Sequence, residues 1–120
     1  MIRSLISALT LMAVLTISGA AFAAGAIAVD DEQGTKAGDI GYGVGQGSTR
    51  EEAAAMAMKS CKEAGNSCSV AVRYDTCGAY AASKKYAGKG WGKTEEIAKQ
   101  KALDECGDSA CRIVVADCSP

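Results

Sequence analysis

The sequence predicts an α+β fold: two internally duplicated ββαβ units forming one small disulfide-stapled domain. Three observations predict it. The chain repeats itself, each copy setting a glycine-alternating strand before a capped, alanine-rich helix. It carries six cysteines in 120 residues. It opens on a segment with the marks of an export signal, which leads to an oxidising compartment where cysteines pair.

Residues 1–23 read as a secretory signal peptide. Arg3 supplies the positive start, Leu5 to Ile17 is mostly apolar, and Ala21-Phe22-Ala23 offers small residues at the cleavage site. The apolar run is short for a membrane anchor. The mature part, 24–120, is read as a single secreted domain, with repeat 1 at about 25–77 and repeat 2 at about 78–118. All six cysteines fall within it. The expected location is secreted or periplasmic, with no transmembrane segment after cleavage.

Each copy opens on a short apolar strand, Gly25-Ala26-Ile27-Ala28 and Gly78-Ala79-Tyr80-Ala81. A glycine strand follows, with Gly41, Gly43, Gly45 and Gly47 alternating in one copy and Gly88, Gly90 and Gly92 in the other. Side chains alternate between strand faces, so one face of each is bare. Interior glycine weakens a strand, and its use is close approach of another backbone or a ligand. The small residues from Ala53 to Ala57 make the following helix the natural occupant. The opposite faces show Tyr42, Val44 and Gln46, and Lys89 and Trp91.

The first helix is predicted at about 49–64. Ser48-x-x-Glu51 and Thr49-x-x-Glu52 both fit a capping box, and Gly65-Asn66 supplies a stop. The second is predicted at about 94–106, with Thr94 as N-cap and Glu95 and Glu96 favourably placed on its dipole. Its expected core face is Ile97, Ala98, Ala102, Leu103 and Cys106. Ala53, Ala57, Met58 and Cys61 match Ala98, Ala102, Leu103 and Cys106 at a constant offset of 45. The closing strands are Ser69 to Tyr74 and Arg112 to Ala116, rich in β-branched residues.

Cys68 matches Cys111 and Cys77 matches Cys118. If Cys68 and Cys77 end one extended strand, they lie beyond bonding reach. The simplest symmetric solution pairs Cys61 with Cys68, Cys106 with Cys111, and Cys77 with Cys118. With three cysteines per copy, the last bridge is expected to sew the copies together. Each bridge is worth about 2–4 kcal/mol, which offsets the small core of a domain this size.

These features resemble a bacterial exported family, domain of unknown function 4189. Gly25-Ala26-Ile27-Ala28, Gly90-Trp91-Gly92, the alanine-rich helices into Cys61 and Cys106, and the strands into Cys77 and Cys118 carry the resemblance across the mature chain. It implies a small α+β disulfide-bearing module in secreted or periplasmic proteins. It implies no activity and transfers no catalytic residue.

The chain contains no histidine, which excludes Ser-His-Asp triads, Cys-His dyads and histidine-held zinc or haem. A net charge of −1 argues against nucleic acid as partner. The run Ala87 to Thr94 resembles a relaxed phosphate-binding loop, but Ala87 stands where the strict pattern has glycine, and Ser48 replaces Lys93 in the first copy. Strand packing and capping explain its glycines and Thr94. Asp30-Asp31-Glu32 with Asp39 lacks the spacing of a calcium loop and reads as a solvated acidic turn. No catalytic, cofactor-binding or metal-ligating residue is assigned, and no cofactor is expected.

Trp91, between Lys89 and Lys93, is the single tryptophan. It either serves the core or forms an exposed aromatic platform with a basic rim. Trp91, Lys89, Lys93 and Tyr42 are the candidate binding surface. The expected function is therefore an exported, non-enzymatic binding module for a protein or cell-envelope partner: an inhibitor, immunity protein or effector. The alternatives are a carboxylate-dependent envelope hydrolase, drawing on Glu51, Glu96, Asp75 or Asp117, and a structural envelope component that dimerises through an edge strand.

Overall fold

A computed structural model describes residues 23–32, 35–64 and 67–120. The expected signal peptide lies outside them except for Ala23, as does the Gly65-Asn66 stop. The chain runs through β1 (Ala24–Asp30), β2 (Gly41–Gly47), α1 (Arg50–Ala64), β3 (Ser69–Tyr74), β4 (Cys77–Ala82), β5 (Ala87–Gly92), α2 (Glu95–Cys106) and β6 (Arg112–Cys118). This is the α+β arrangement of two ββαβ units expected from the sequence. A short 3-10 turn, Ala37–Asp39, sits in the longer first hairpin. In the shorter second hairpin the Ser83 hydroxyl accepts from Lys85 N and Tyr86 N at 3.2 and 3.0 Å.

Each unit forms a three-stranded antiparallel sheet with its first strand in the centre: β2-β1-β3 and β5-β4-β6. The two sheets stack face to face, and each carries its helix on the outside. The central strands are therefore buried on both faces. Along β1, Ala24, Ala26 and Ala28 face α1, while Ile27 and Val29 enter the inter-sheet core. Along β4, Cys77, Ala79 and Ala81 face α2, while Tyr80 and Ala82 enter that same core. Alanine on one face and larger residues on the other set a thin helix layer and a thicker sheet layer.

The glycine faces meet helix backbone, as expected. A Cβ added at Gly43 or Gly45 would fall within 3.0 Å of main-chain atoms of Ala57, Ser60 or Cys61 and of Ala53, Met56 or Ala57 respectively. At Gly88 and Gly90 the same holds against main-chain atoms of Ala98, Ala102 and Cys106. The glycines and alanines are thus two halves of one contact.

The closing strands carry a feature that no sequence period reveals. The pairing of β3 with β1 skips Ala71, and that of β6 with β4 skips Val114. An extra residue turns the strand over. Val70 accordingly packs beside α1, whereas Val72 and Tyr74 enter the inter-sheet core; Ile113 and Val115 divide in the same way.

Both helix starts use their threonines. Thr94 Oγ1 accepts from Ile97 N at 3.1 Å, and Thr49 Oγ1 accepts from Glu52 N at 3.1 Å. Of the two boxes open in the sequence, the structure selects Thr49. Glu52 reaches one residue further back, accepting from Ser48 N and Oγ at 3.0 and 2.6 Å. These bonds, the hydroxyl's foremost, hold the Glu52 carboxyl below the usual carboxylate range. At the other end of α2, Gly107 adopts φ 70° and returns its N–H to Leu103 O. Thr94→Ala is expected to cost about 1 kcal/mol, seen as a lower urea midpoint at unchanged slope.

Three disulfides close the structure: Cys61–Cys68, Cys106–Cys111 and Cys77–Cys118. The pairing is the symmetric one, but the third bridge plays a different part from the one expected. A bend at Asp75-Thr76 ends β3, and Cys77 opens β4, so Cys68 and Cys77 do not share a strand. Cys77 lies directly opposite Cys118 within the second sheet. The bridge clamps β4 to β6 and does not join the two sheets. Ile97 is a second correction: it is 44% exposed, because Gly92 is the last residue of β5 and offers the helix start only a narrow footing.

Candidate functional site

One side chain of the inter-sheet core packs against both sheets' backbones. Tyr74, buried at the end of β3, lies between Gly25 of the first sheet and Gly78 of the second; a Cβ on either glycine would strike its ring. Gly25 and Gly78 are equivalent in the two copies, so the duplication supplies both halves of this slot. The Tyr74 hydroxyl donates to Asp117 Oδ2 at 2.6 Å, and Gln46 Nε2 donates to the same oxygen at 3.2 Å. Burial first, then the bond to Asp117, raises the hydroxyl far above its ordinary value. Tyr80 donates to Asp31, and burial followed by that bond raises it likewise.

Beside Tyr74 a cleft of about 710 Å³ opens. One wall is the run Val70 to Cys77, covering most of β3 and the bend after it. The other is Lys89, Trp91, Gly92 and Lys93 of β5 and its end, and Arg50 stands at the mouth. Trp91, Lys89 and Lys93 all line the cleft. Trp91 is 53% exposed, so it is not a core residue. Tyr42 is also exposed but does not line the cleft; it belongs to β2, on the far side of the first sheet's central strand.

Three charged lining residues were not in the expected surface: Arg50, Arg73 and Asp75. Arg50 grips Asp75 through two bonds of 3.1 and 2.9 Å. Hydrogen bonding from Arg50 and then its charge hold the Asp75 carboxyl below the usual range. Among the described residues no ion pair engages Arg73, Lys89 or Lys93. The cleft is therefore basic in a chain of net charge −1.

Comparison of the two copies isolates what is special here. The equivalent junction of the other copy lies between β6 and β2. Val44, Gln46 and Ser48 stand there where the cleft has Lys89, Trp91 and Lys93. Register puts Ala116 in the place of Arg73, and Glu95 matches Arg50. That junction is bridged: Gln46 Nε2 donates to Asp117 and also to Cys118 O at 3.3 Å. Every basic or aromatic residue of the cleft thus has a different counterpart in the other copy. Setting the copies side by side marks Arg73 in the sequence too, as the one charge that interrupts the first closing strand.

The remaining candidates are distributed elsewhere. Asp117 is occupied by Tyr74 and Gln46, and Asp75 by Arg50. Glu51 and Glu96 lie in the first turns of α1 and α2. Asp39 faces Lys36 at 3.8 Å and Asp31 accepts from Tyr80. Among the described residues no three acidic or cysteine side chains converge as a metal cage would.

The family model described as Domain of unknown function (DUF4189) matches residues 24–118. The chain belongs to this family. No curated protein and no solved structure matches it. The DUF4189 match spans both units, both helices and all three bridges, so the duplicated fold is the family's domain. Among the described residues no helix is long and apolar enough to cross a membrane. Three disulfides are compatible with an extracellular or periplasmic place for this DUF4189 protein.

Proposed function

We propose that this protein is an exported binding module, and that the Trp91 cleft takes an anionic group of a protein or envelope partner. One observation carries the reading: this cleft is aromatic and basic, whereas the equivalent junction of the other copy is bridged by Gln46. An exposed tryptophan beside unpaired cations offers stacking area and charge together. The bridges and the double-sided core hold the walls rigid, which lowers the entropic cost of binding. Inhibitor, immunity protein and effector are all forms of this role.

Trp91 is its own reporter. In the free protein its emission is expected near that of solvated indole and open to acrylamide quenching. Polyglutamate or polygalacturonate is expected to protect it, and polylysine is not. Trp91→Ala with a neutral dye reporter is expected to lose binding at least tenfold with an unchanged melting temperature. A tryptophan indifferent to every polyanion at low salt rejects the reading.

A further inference from the structure

The shape of the cleft narrows the ligand further, on the premise that the cleft binds. We propose that its occupant is an extended acidic peptide segment that adds a strand to β3. The first sheet ends at β3, which pairs only with β1 among the described residues. One wall of the cleft is an unbroken run of residues, Val70 to Cys77, most of them in β3. An edge strand presents a row of unpaired N–H and C=O groups, and an extended peptide satisfies them in register. A glycan presents no such alternating row.

The opposite wall is protected against the same pairing. Lys89 N, on β5, donates to Glu105 Oε2 at 2.9 Å, so a side chain of α2 already occupies that edge. No such bond covers β3 among the described residues. The bulge at Ala71 breaks the pairing frame and the bend at Asp75 ends the strand, which confines an added strand to Val72–Tyr74. The site therefore reads about three residues of peptide, at about 3.3 Å each. Strand alternation sets Arg73 on one face of that stretch and Lys89 and Trp91 on the other, so acidic side chains on either face of an added strand meet a cation. Trp91 offers its ring to side chains on the same face as Lys89. Indiscriminate pairing with neutral strands is opposed by the same charges.

The test uses the full chain and a labelled Glu-Val-Glu-Val-Glu-Val peptide, read by anisotropy and by Trp91 emission. Three competitors accompany it: the same peptide N-methylated on alternate residues in both frames, a Lys-Val analogue, and a galacturonate oligomer of equal charge. The Glu-Val peptide is expected to bind. N-methylation in one frame is expected to weaken it at least tenfold, because it removes donors and blocks the strand approach. Arg73→Glu with Lys89→Glu is expected to abolish binding at an unchanged melting temperature, and Tyr42→Ala to leave it intact. Equal affinity for both N-methylated frames, or tighter binding of the galacturonate, overturns strand addition while leaving an anion-binding cleft. Binding by none of the anionic probes overturns both.

Discussion

Gly45→Ala and Gly90→Ala are each expected to lower stability by about 3 kcal/mol or more, at the upper end of overpacking costs. For a domain of this size that is a fall of at least about 12 °C in Tm. The added methyl at Gly45 would lie within 3.0 Å of Ala57 N, Ala53 O and Met56 C. All three are main-chain atoms, so no rotamer change relieves the overlap. The helix must lift off the sheet, and the alanine layer of Ala26, Ala28, Ala53 and Ala57 then loses its contacts. Gly38→Ala is the control. It has nothing within 4 Å of the added carbon and is expected to change stability by less than about 0.5 kcal/mol. Thermal melts of the three variants decide the matter. If Gly45→Ala and Gly90→Ala melt with the control, glycine does not set the helix-to-sheet distance.

Tyr74→Ala is expected to cost about 3–5 kcal/mol. The ring fills the slot between Gly25 and Gly78, and neither glycine has a side chain to fall into the space. Tyr74→Phe keeps the ring and removes the hydroxyl, leaving Asp117 with Gln46 alone as side-chain donor. Its expected cost is about 1–3 kcal/mol. The pH dependence is a separate signature. The folded state holds the Tyr74 hydroxyl above its ordinary value of 10.0, with burial as the main cause. Below pH 10 both states keep the proton, and the stabilising effect is complete. Above it the unfolded chain releases a proton that the folded chain retains, so stability falls as pH rises towards the raised folded value. Tyr80 adds to the same loss. Urea unfolding at pH 7 and about pH 11 is expected to show a smaller alkaline loss for Tyr74→Phe than for the parent chain. An equal loss in both would show that Tyr74 takes no part in the alkaline effect.

Much of the fold is legible because it depends on local rules. Thr94 caps α2 and Gly107 ends it without help from distant residues. The alternation of Gly43, Gly45 and Gly47 against Ala53 and Ala57 names its own packing partner. The bulges at Ala71 and Val114 are not legible: both strands read as continuous β-branched runs, and only pairing with a central strand shows which residue is left out. For the same reason Cys77 was expected at the end of β3. The bend that moves it to the head of β4 follows from the two sheets stacking, which forces the chain to cross over at Asp75-Thr76.

The site divides in the same way. Trp91, Lys89 and Lys93 share a strand or its end, so sequence spacing already grouped them. Arg50 and Arg73 reach the cleft from another sheet and another helix, where spacing carries no information. Tyr42 shows the converse: it occupies a similar strand face in the other copy but lines a different part of the molecule.

By itself the sequence determined the duplication, the order of elements, the helix starts and the glycine contacts, all of which act over short range or repeat. The tertiary structure alone decided which of two equivalent junctions is bridged and which is a cleft. That choice rests on Gln46 reaching Asp117 and Cys118 across one junction while Trp91 and unpaired cations line the other. It is a matter of side chains meeting between sheets, and no period along the chain records it.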